Sequence, residues 1–222
     1  MSKPDRTPDE VKAEVLETAQ ELYRKGLVEG TSGNISGRMP GGDTVCITPS
    51  SVAYPPMTID DLVVIDLDGE VVEGERSPSS EKGLHLALYN AYPEVGGVIH
   101  SHPVYGTMYA LVREPIPASI EEFVVFVGGD VPCADYATTG TDAVGDALVK
   151  HLADRSAALI ANHGMCSIGT TAERALHTAL VVERTAQIVA GARALGTVHE
   201  IPAEVNENFA GVYRWMRENG MF

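Results

Sequence analysis

Apolar side chains recur at helical spacing in six stretches of the chain. The first stretch follows Thr7-Pro8-Asp9-Glu10, which has the sequence of a helix start with a capping box and a proline at the first helical position. Apolar residues then recur at intervals of three and four positions up to Gly26, a suitable stop. Five further helices are predicted over residues 77–92, 105–112, 142–152, 171–195 and 203–219.

Short apolar runs bounded by turn residues predict the strands. Two segments of small polar residues, 31–38 and 49–51, are predicted as tight turns, with a backbone and hydroxyl nest for an anion as the alternative. There is no repeat, low-complexity tract or linker, so we predict a single α/β domain over residues 1–222. The predicted strands are residues 44–48, 95–100, 123–127 and 157–161, together with a hairpin over 62–73 that turns at Asp68-Gly69.

Charge and composition narrow the possible partners and the compartment. The chain carries 16 basic and 31 acidic residues, a formal net charge of −15, which argues against nucleic acid or an anionic membrane as a partner. No apolar run approaches a membrane span, and the first ten residues lack the apolar core of a signal peptide. Cys46, Cys133 and Cys166 show neither metal nor disulfide spacing. A cytoplasmic protein with reduced thiols is therefore predicted.

Two histidines stand at the end of the strand predicted over residues 95–100. Side chains at positions i and i+2 of a strand point to the same face, so His100 and His102 can bind one metal ion from one side. His163 follows another buried strand and is the candidate for a third ligand. Three neutral imidazoles with an open position are typical of a catalytic rather than a structural zinc site. The pattern therefore predicts a metal-dependent enzyme.

Glu81 and His85 lie one helical turn apart near the start of the helix predicted over residues 77–92. A single carboxylate at such a place is usually only a favourable partner for the helix dipole. Glu81 shares its segment with the histidine pair, however, which favours an acid–base role. We expect His85 to pack or to form a hydrogen bond behind the site rather than to bind the metal.

Five short motifs follow one another along the chain: S-G-N-I-S at 32–36, I-T-P-S-S at 47–51, P-S-S-E at 78–81, V-I-H-S-H at 98–102 and A-N-H-G-M at 161–165. Taken together and in this order, they make the chain resemble the class II aldolase/adducin-head family from the first helix to about residue 195. The resemblance implies a three-layer α/β/α fold with a mostly antiparallel central sheet. It also implies a homotetramer with active sites at the boundaries between subunits.

The same motif matches imply a role for each candidate residue. His100, His102 and His163 would bind Zn²⁺, although histidine ligands also suit Mn²⁺ and Co²⁺. Glu81 would be the acid–base carboxylate. The phosphate of a sugar phosphate would be held by three short polar segments: by Gly33 and Asn34, by Ser50 and Ser51, and by Ser79 and Ser80.

The reaction implied by the resemblance is cleavage of a ketose 1-phosphate, similar to L-fuculose 1-phosphate, into dihydroxyacetone phosphate and a small aldehyde. The residue types suit it, because a metal-stabilised enediolate needs a Lewis acid and a carboxylate that moves a proton on carbon. Decarboxylation of a sugar-acid phosphate and 4-epimerisation of a pentulose phosphate share that enediolate and remain alternatives. A non-enzymatic, adducin-like structural module is a further alternative, but it would be expected to lose the histidines that this chain keeps.

Two positions bear on the choice between these reactions. Epimerases of the family carry Asp where this chain has Glu81, which favours an aldolase or a decarboxylase. Aldolases of the family carry a tyrosine in the segment that here reads I-E-E-F, residues 120–123. We therefore expect Glu121 or Glu122 to act at the aldehyde end of the site, reached from a neighbouring subunit. Tyr213 is matched by position to the C-terminal tyrosine of the family and is a third candidate for the aldehyde end.

Overall fold

A computed structural model describes residues 6–222, which form three layers. Part of the segment considered above for a signal peptide lies in residues 1–5, outside the described residues. Within residues 6–222, none of the helices is long and apolar enough to cross a membrane. The helices are α1 (Pro8–Arg24), α2 (Lys82–Ala91), α3 (Val104–Val112), α4 (Glu121–Val127), α5 (Asp142–Val149), α6 (Ala172–Leu195) and α7 (Ala203–Glu218). The strands are β1 (Asn34–Arg38), β2 (Thr44–Ile47), β3 (Val63–Asp66), β4 (Val71–Glu73), β5 (Gly97–Ser101), β6 (Cys133–Ala134), β7 (Ala157–Ile160) and β8 (Gly164–Gly169).

The eight strands form one sheet in the order β4-β3-β2-β1-β5-β8-β7-β6. Every neighbouring pair is antiparallel except β6 and β7. Helices α1, α3 and α6 cover one face over one hydrophobic core, and α2 and α5 cover the other face over a second core. The predicted three-layer arrangement with a mostly antiparallel sheet is therefore confirmed.

The start of helix α1 is determined by residues that are neighbours in the sequence. The side chain of Thr7 accepts from the backbone N–H of Glu10, the carboxylate of Glu10 accepts from the backbone N–H of Thr7, and Pro8 is the first helical residue. These contacts satisfy donors that a helix start otherwise leaves free. The predicted start of the first helix is thus confirmed, as is the hairpin of β3 and β4.

The prediction of a tight turn over residues 31–38 is wrong for most of that segment. Residues 34–38 form β1, a central strand paired with β2 on one side and β5 on the other. Its glycine reflects close packing: a Cβ on Gly37 would lie 2.9 Å from Cγ2 of Val15, on the helix above it. Pairing on both sides outweighs the weak strand propensity of such a small, polar sequence.

The prediction of a strand over residues 123–127 is also wrong, because this run lies in helix α4. Phe123, Val124 and Val127 are buried, which is the spacing of one helical face, and Gly128 ends the helix with a φ of 99°. A short apolar run fits either a buried strand or a buried helix by periodicity alone. Here packing of α4 against α6 and α7 selects the helix.

The helix predicted over residues 77–92 begins later than expected. Lys82 is the first residue of α2, and Glu81 occupies the N-cap position rather than the first turn. The preceding residues pair instead with a distant segment: Ser50 donates its backbone N–H to the carbonyl of Ser77, and Ser79 donates its own to the carbonyl of Thr48. This pairing and the turn from Ser79 to Lys82 replace the predicted first helical turn, and the side chain of Glu81 contacts Asn34 and His100.

Strand register places the candidate chemistry at one edge of the sheet. Asn34, the first residue of β1, pairs with His100 near the end of β5. Ser101 pairs with Met165 near the start of β8, and the turn that carries His163 joins β7 to β8. The beginning of β1, the end of β5 and the β7–β8 turn therefore meet at the same edge, where α2 also begins.

Candidate metal centre and active site

Three imidazole rings meet at this edge. Nε2 of His100 lies 2.9 Å from Nε2 of His102 and 3.2 Å from Nε2 of His163. The candidate ligand atoms of all three residues lie within 4.8 Å of one another. His100 is fully buried, whereas His102 and His163 are partly exposed. The structure thus brings together the three histidines that the sequence singled out.

A tight turn and a close approach fix the backbone around the rings. Asn162 adopts the left-handed conformation, with a φ of 58°, in the turn that presents His163. A Cβ on Gly164 would lie 2.4 Å from the carbonyl oxygen of Ser101 and 2.8 Å from Cδ2 of His102. Only glycine lets β8 begin this close to β5, so the packing of the two strands determines where the rings meet.

The hydrogen bond of His100 settles its tautomer. Its Nδ1 lies 3.0 Å from the carbonyl oxygen of Met165, which can only accept, so Nδ1 carries the proton and the lone pair of Nε2 faces the other rings. Burial lowers the pKa of His100 to about 3 and that of His102 to about 4, with the neighbouring imidazoles adding to the effect. Both rings are therefore neutral at pH 7, the form in which histidine binds a metal.

The donor set fits a divalent cation. Two ligands bound tetrahedrally at 2.0–2.1 Å from zinc lie about 3.3 Å apart, close to the separations among the Nε2 atoms. Without a cation, the lone pair of His100 would face two other ring nitrogens in a buried setting. The fourth side of the cluster is taken by a carboxylate rather than by another imidazole.

That carboxylate belongs to Glu81. Its Oε2 lies 3.4 Å from Nε2 of His100 and accepts a hydrogen bond of 2.8 Å from Nδ2 of Asn34. Its Oε1 lies 3.6 Å from Nε2 of His163 and is buried without a hydrogen-bond partner. Ser79 supports the backbone, because its Oγ accepts from the N–H of Glu81. One oxygen of the carboxylate is therefore held in place, and the other is free to act.

We expect the metal-free protein to lose stability as the pH falls below about 6.5. The folded-state pKa values of His100 and His102, about 3 and about 4, lie below the value of about 6.5 for an unfolded chain. The unfolded state therefore binds more protons in this interval, and stability that is present above pH 6.5 is lost towards pH 4. Each group contributes up to about 1.4 kcal/mol per pH unit.

Urea unfolding of the metal-free protein at several pH values between 7 and 4.5 checks this expectation. A His102→Gln variant cannot take up that proton. The slope of its free energy of unfolding against pH should therefore be smaller than in the wild type, by the amount that corresponds to about one proton. Equal slopes in the two proteins would contradict the expectation.

The three polar segments proposed for phosphate binding are adjacent in the structure. Backbone hydrogen bonds pair Ser50 with Ser77 and Thr48 with Ser79, so residues 48–50 and 77–79 run side by side. The hydroxyl of Tyr54 donates to the carbonyl oxygens of Ser32 and Gly33, which ties the loop before β1 to the residues after β2. Ser51 and Ser80 are exposed beside this junction. The segments therefore lie next to one another, and two of them contact Glu81, through Asn34 and Ser79.

The candidates for the aldehyde end are not beside the histidines of their own chain. Glu121 and Glu122 are exposed on α4, which carries none of the residues of the cluster. Tyr213 is 1% exposed, and its hydroxyl accepts a hydrogen bond of 2.7 Å from Oγ of Ser156. Ser156 precedes β7, whereas His163 follows it, about 13 Å away at the rise of a strand. The structure therefore does not support the prediction for Tyr213.

Sequence reasoning assigned no role to three residues that shape the site. Ser36 and Tyr89 are buried residues that are hydrogen-bonded to each other and, through His85, to Asn34 at the edge that carries the histidines. Tyr54 braces the Gly33 loop. Their local sequence resembles that of ordinary core positions, so only the pairing of β1 and the packing of α2 reveal them. His85 is fully buried and forms hydrogen bonds behind the cluster, as expected.

The fold and the histidine–carboxylate cluster are typical of a metal-dependent enzyme, and comparison with known sequences identifies its class. The profile of the family described as Class II Aldolase and Adducin N-terminal domain matches residues 13–190. The chain belongs to this family, and it is an enzyme of the class II aldolase type.

Individual relatives carry several activities. The 5-deoxy-D-ribulose 1-phosphate aldolase of Bacillus thuringiensis serovar kurstaki is 34% identical over 197 residues, which are 89% of this chain and 92% of that protein. The L-ribulose-5-phosphate 4-epimerase of Salmonella paratyphi B is 35% identical over 196 residues, 83% of this chain and 86% of that protein. A solved structure of L-fuculose 1-phosphate aldolase has a TM-score of 0.89 and 34% identity, covering 96% of this chain and all of that one.

Proposed function

We propose that the protein is a zinc-dependent aldolase that cleaves a ketose 1-phosphate, similar to L-fuculose 1-phosphate, into dihydroxyacetone phosphate and a small aldehyde. One observation carries the proposal: the carboxylate of Glu81 faces three histidines with a buried oxygen that has no partner. Relatives named for the cleavage of ketose 1-phosphates support the substrate class.

His100, His102 and His163 would hold the metal ion through their Nε2 atoms. Bound there, a divalent ion supplies a Lewis acid for the oxygens of the substrate. Zn²⁺ suits three imidazoles with an open position, and Mn²⁺ or Co²⁺ can occupy the same ligands.

Glu81 would move the proton on carbon. In the direction of synthesis, its free Oε1 takes a proton from the carbon beside the carbonyl of dihydroxyacetone phosphate. In cleavage, the same oxygen returns that proton to the carbon after the carbon–carbon bond breaks. Its burial excludes water from the transfer, and Asn34 keeps the other oxygen occupied. General acid–base catalysis of this kind contributes roughly 10²- to 10⁴-fold.

The phosphate would be held beside Glu81, with Gly33, Ser50, Ser51, Ser79 and Ser80 as its donors. The net charge of −15 makes such local donors necessary, because the field of the whole protein repels a phosphate. Ser79 and Ser80 also precede the N-terminus of α2, where backbone N–H groups and the helix dipole favour an anion. The amide of Asn34 is already engaged by Glu81 and His85.

The aldehyde end would be completed by a neighbouring subunit through Glu121 or Glu122. Both side chains are exposed at the start of α4 and so are available to another chain. Changing each to glutamine should alter the relative rates with different aldehydes. Unchanged turnover across a series of aldehydes would remove both residues from the site.

A homotetramer is proposed as the working assembly. Val104, Met108, Leu111 and Val112 form an exposed apolar face on α3, which begins directly after His102-Pro103. Such a face on a negatively charged chain suits contact with a second copy. Leu111→Asp should shift the protein to smaller species in analytical ultracentrifugation, whereas Val72→Asp, at an exposed position on β4, should not. Identical sedimentation of both variants would contradict an interface on α3.

Epimerisation of a pentulose phosphate is the second candidate, favoured by the relative of that name at 35% identity. Decarboxylation of a sugar-acid phosphate is the third. Glu81 stands against epimerisation, since the resemblance assigns Asp to that position in epimerases. All three reactions share the enediolate, so substrate tests must separate them.

The deciding experiment is a coupled assay of dihydroxyacetone phosphate release from a panel of ketose 1-phosphates, with added zinc and with chelator. Release that chelator abolishes and zinc restores would support the aldolase. L-ribulose 5-phosphate and a 3-oxo sugar-acid phosphate complete the panel. Turnover of either one, with no release from any ketose 1-phosphate, would overturn the aldolase in favour of the corresponding alternative.

A further inference from the structure

A continuous chain of hydrogen bonds runs from Glu81 into the space between α2 and β1. Nδ2 of Asn34 lies 2.8 Å from Oε2 of Glu81, and Oδ1 of Asn34 lies 2.5 Å from Nε2 of His85. Nδ1 of His85 lies 2.7 Å from Oγ of Ser36, which lies 2.9 Å from the hydroxyl of Tyr89. The four residues behind Glu81 are at most 3% exposed.

Secondary structure aligns this chain. Asn34 and Ser36 are two positions apart on β1 and point to the same face, while His85 and Tyr89 are four positions apart on α2. The two pairs therefore interleave along the contact between strand and helix. The proton transfer proposed above uses none of the residues beyond Asn34.

The carboxylate of Glu81 determines which group donates and which accepts in every hydrogen bond of this chain. A carboxylate only accepts, so the amide of Asn34 must present Nδ2 to it and Oδ1 to the other side. The opposite amide orientation would set a carbonyl oxygen against the carboxylate. Because Oδ1 also only accepts, Nε2 of His85 must carry a proton and donate it.

The remaining donors follow from this tautomer. Nδ1 of a neutral His85 has a lone pair and accepts from the hydroxyl of Ser36, whose oxygen then accepts from the hydroxyl of Tyr89. Burial lowers the pKa of His85 to about 3, and burial raises the pKa of Tyr89, so the ring is neutral and the phenol keeps its proton. All four donors thus point towards Glu81.

We propose that His85 is a positioning residue which, by locking the amide of Asn34, decides which oxygen of Glu81 is held and which acts as the base. Oε2 is held, and Oε1, facing His163, is left as the free base. This inference rests on the proposed proton transfer by Glu81. It also gives Asn34 a role different from phosphate binding, because both ends of its amide are engaged.

A purely structural role explains this arrangement poorly. An apolar side chain at position 85 would fill the space between α2 and β1 without placing four polar groups out of reach of water. Buried polar networks are costly when they are incompletely satisfied, and they fix geometry when every member has its partner. Here every bond from Tyr89 to Asn34 is made, and the network ends on the carboxylate beside the histidines.

Three variants separate positioning from packing. His85→Leu removes both hydrogen bonds of the ring, and we expect turnover to fall roughly 10- to 100-fold, as for a small misplacement of a reacting group. The KM for the sugar phosphate should stay within about threefold, and zinc content should be unchanged. His85→Gln keeps a donor towards Asn34 and an acceptor towards Ser36, so it should restore most of the turnover. His199→Leu, the same replacement type at an exposed loop position, is the matched control.

Asn34→Ala separates positioning from phosphate binding. If Asn34 orients Glu81, turnover falls and the KM holds. If its amide instead binds the phosphate, the KM rises with turnover little changed, which would overturn the inference. Unchanged turnover in His85→Leu, or an equal loss in His85→Leu and His85→Gln, would overturn it as well.

A measurement that needs no turnover tests the hydrogen-bond chain directly. In metal-free protein labelled with ¹⁵N-histidine, long-range ¹H–¹⁵N correlation spectra should show His85 protonated at Nε2 and bare at Nδ1, unchanged between pH 5 and 8. Protonation at Nδ1 would overturn the inference. Should the wild-type protein cleave no sugar phosphate, the proposed function fails, and this spectrum still decides whether the chain points towards Glu81.

Discussion

A His163→Ala variant is expected to fold normally, to bind zinc at least 100-fold more weakly and to lose nearly all turnover. The side chain of His163 is partly exposed and its Nδ1 has no hydrogen-bond partner, so its removal costs the fold little. His100 is a poorer choice, because it is buried and bonded to the carbonyl of Met165. Loss of a residue that only supports a ligand already weakens metal binding 10- to 100-fold, so loss of a ligand itself should exceed that range.

The expected loss of turnover is about 10³-fold or more, since a Lewis acid contributes several kcal/mol and each 1.36 kcal/mol is tenfold. Zinc affinity by competition with a chelating dye, circular dichroism and the coupled aldolase assay together test this expectation. His199→Ala, at an exposed histidine in a loop, is the control and should match the wild type. A His163→Ala variant that retains stoichiometric zinc and turnover would remove His163 from the metal site.

Glu81→Gln is expected to keep its metal and its substrate affinity while turnover falls roughly 10²- to 10⁴-fold. The replacement has nearly the same shape, and its carbonyl oxygen can still accept from Nδ2 of Asn34. The group facing His163 then becomes an amide nitrogen without a basic lone pair. The loss should therefore appear in kcat rather than in KM, because it acts on the proton transfer alone.

A second measurement tests the proton transfer separately from cleavage. Wild-type enzyme should exchange one carbon-bound proton of dihydroxyacetone phosphate with deuterated solvent in the absence of aldehyde, and Glu81→Gln should not. Glu204→Gln, at an exposed position at the start of α7, is the control. Exchange at the wild-type rate in Glu81→Gln would assign the base to another residue.

The long helices could be predicted because the residues that determine them lie within or next to each helix. The capping residues of α1 and the spacing of its apolar side chains lie within the helix itself, and the same holds for α6, which runs from the N-cap Thr171 to Gly196. The two wrong assignments, β1 and α4, concern segments of five and seven residues. In such short segments, tertiary contacts outweigh propensity.

The residue types of the site, and part of its geometry, can be predicted from the sequence alone. The spacing of His100 and His102 predicts both rings on one side at the end of β5. The ordered motifs indicate the family that the sequence profile confirms. These features are readable because they depend on a period of two along a strand or on the order of short motifs.

Which of these residues contact one another depends on the tertiary structure. The hydrogen bonds that link Glu81 to Tyr89 join residues 47–53 positions apart in sequence. These residues come together because β1 lies beside β5 and beneath α2. The direction of their hydrogen bonds follows from burial, since groups cut off from water must find their partners within the protein. The pattern of residues along the chain does not indicate such pairings, because they depend on how the helix packs against the sheet.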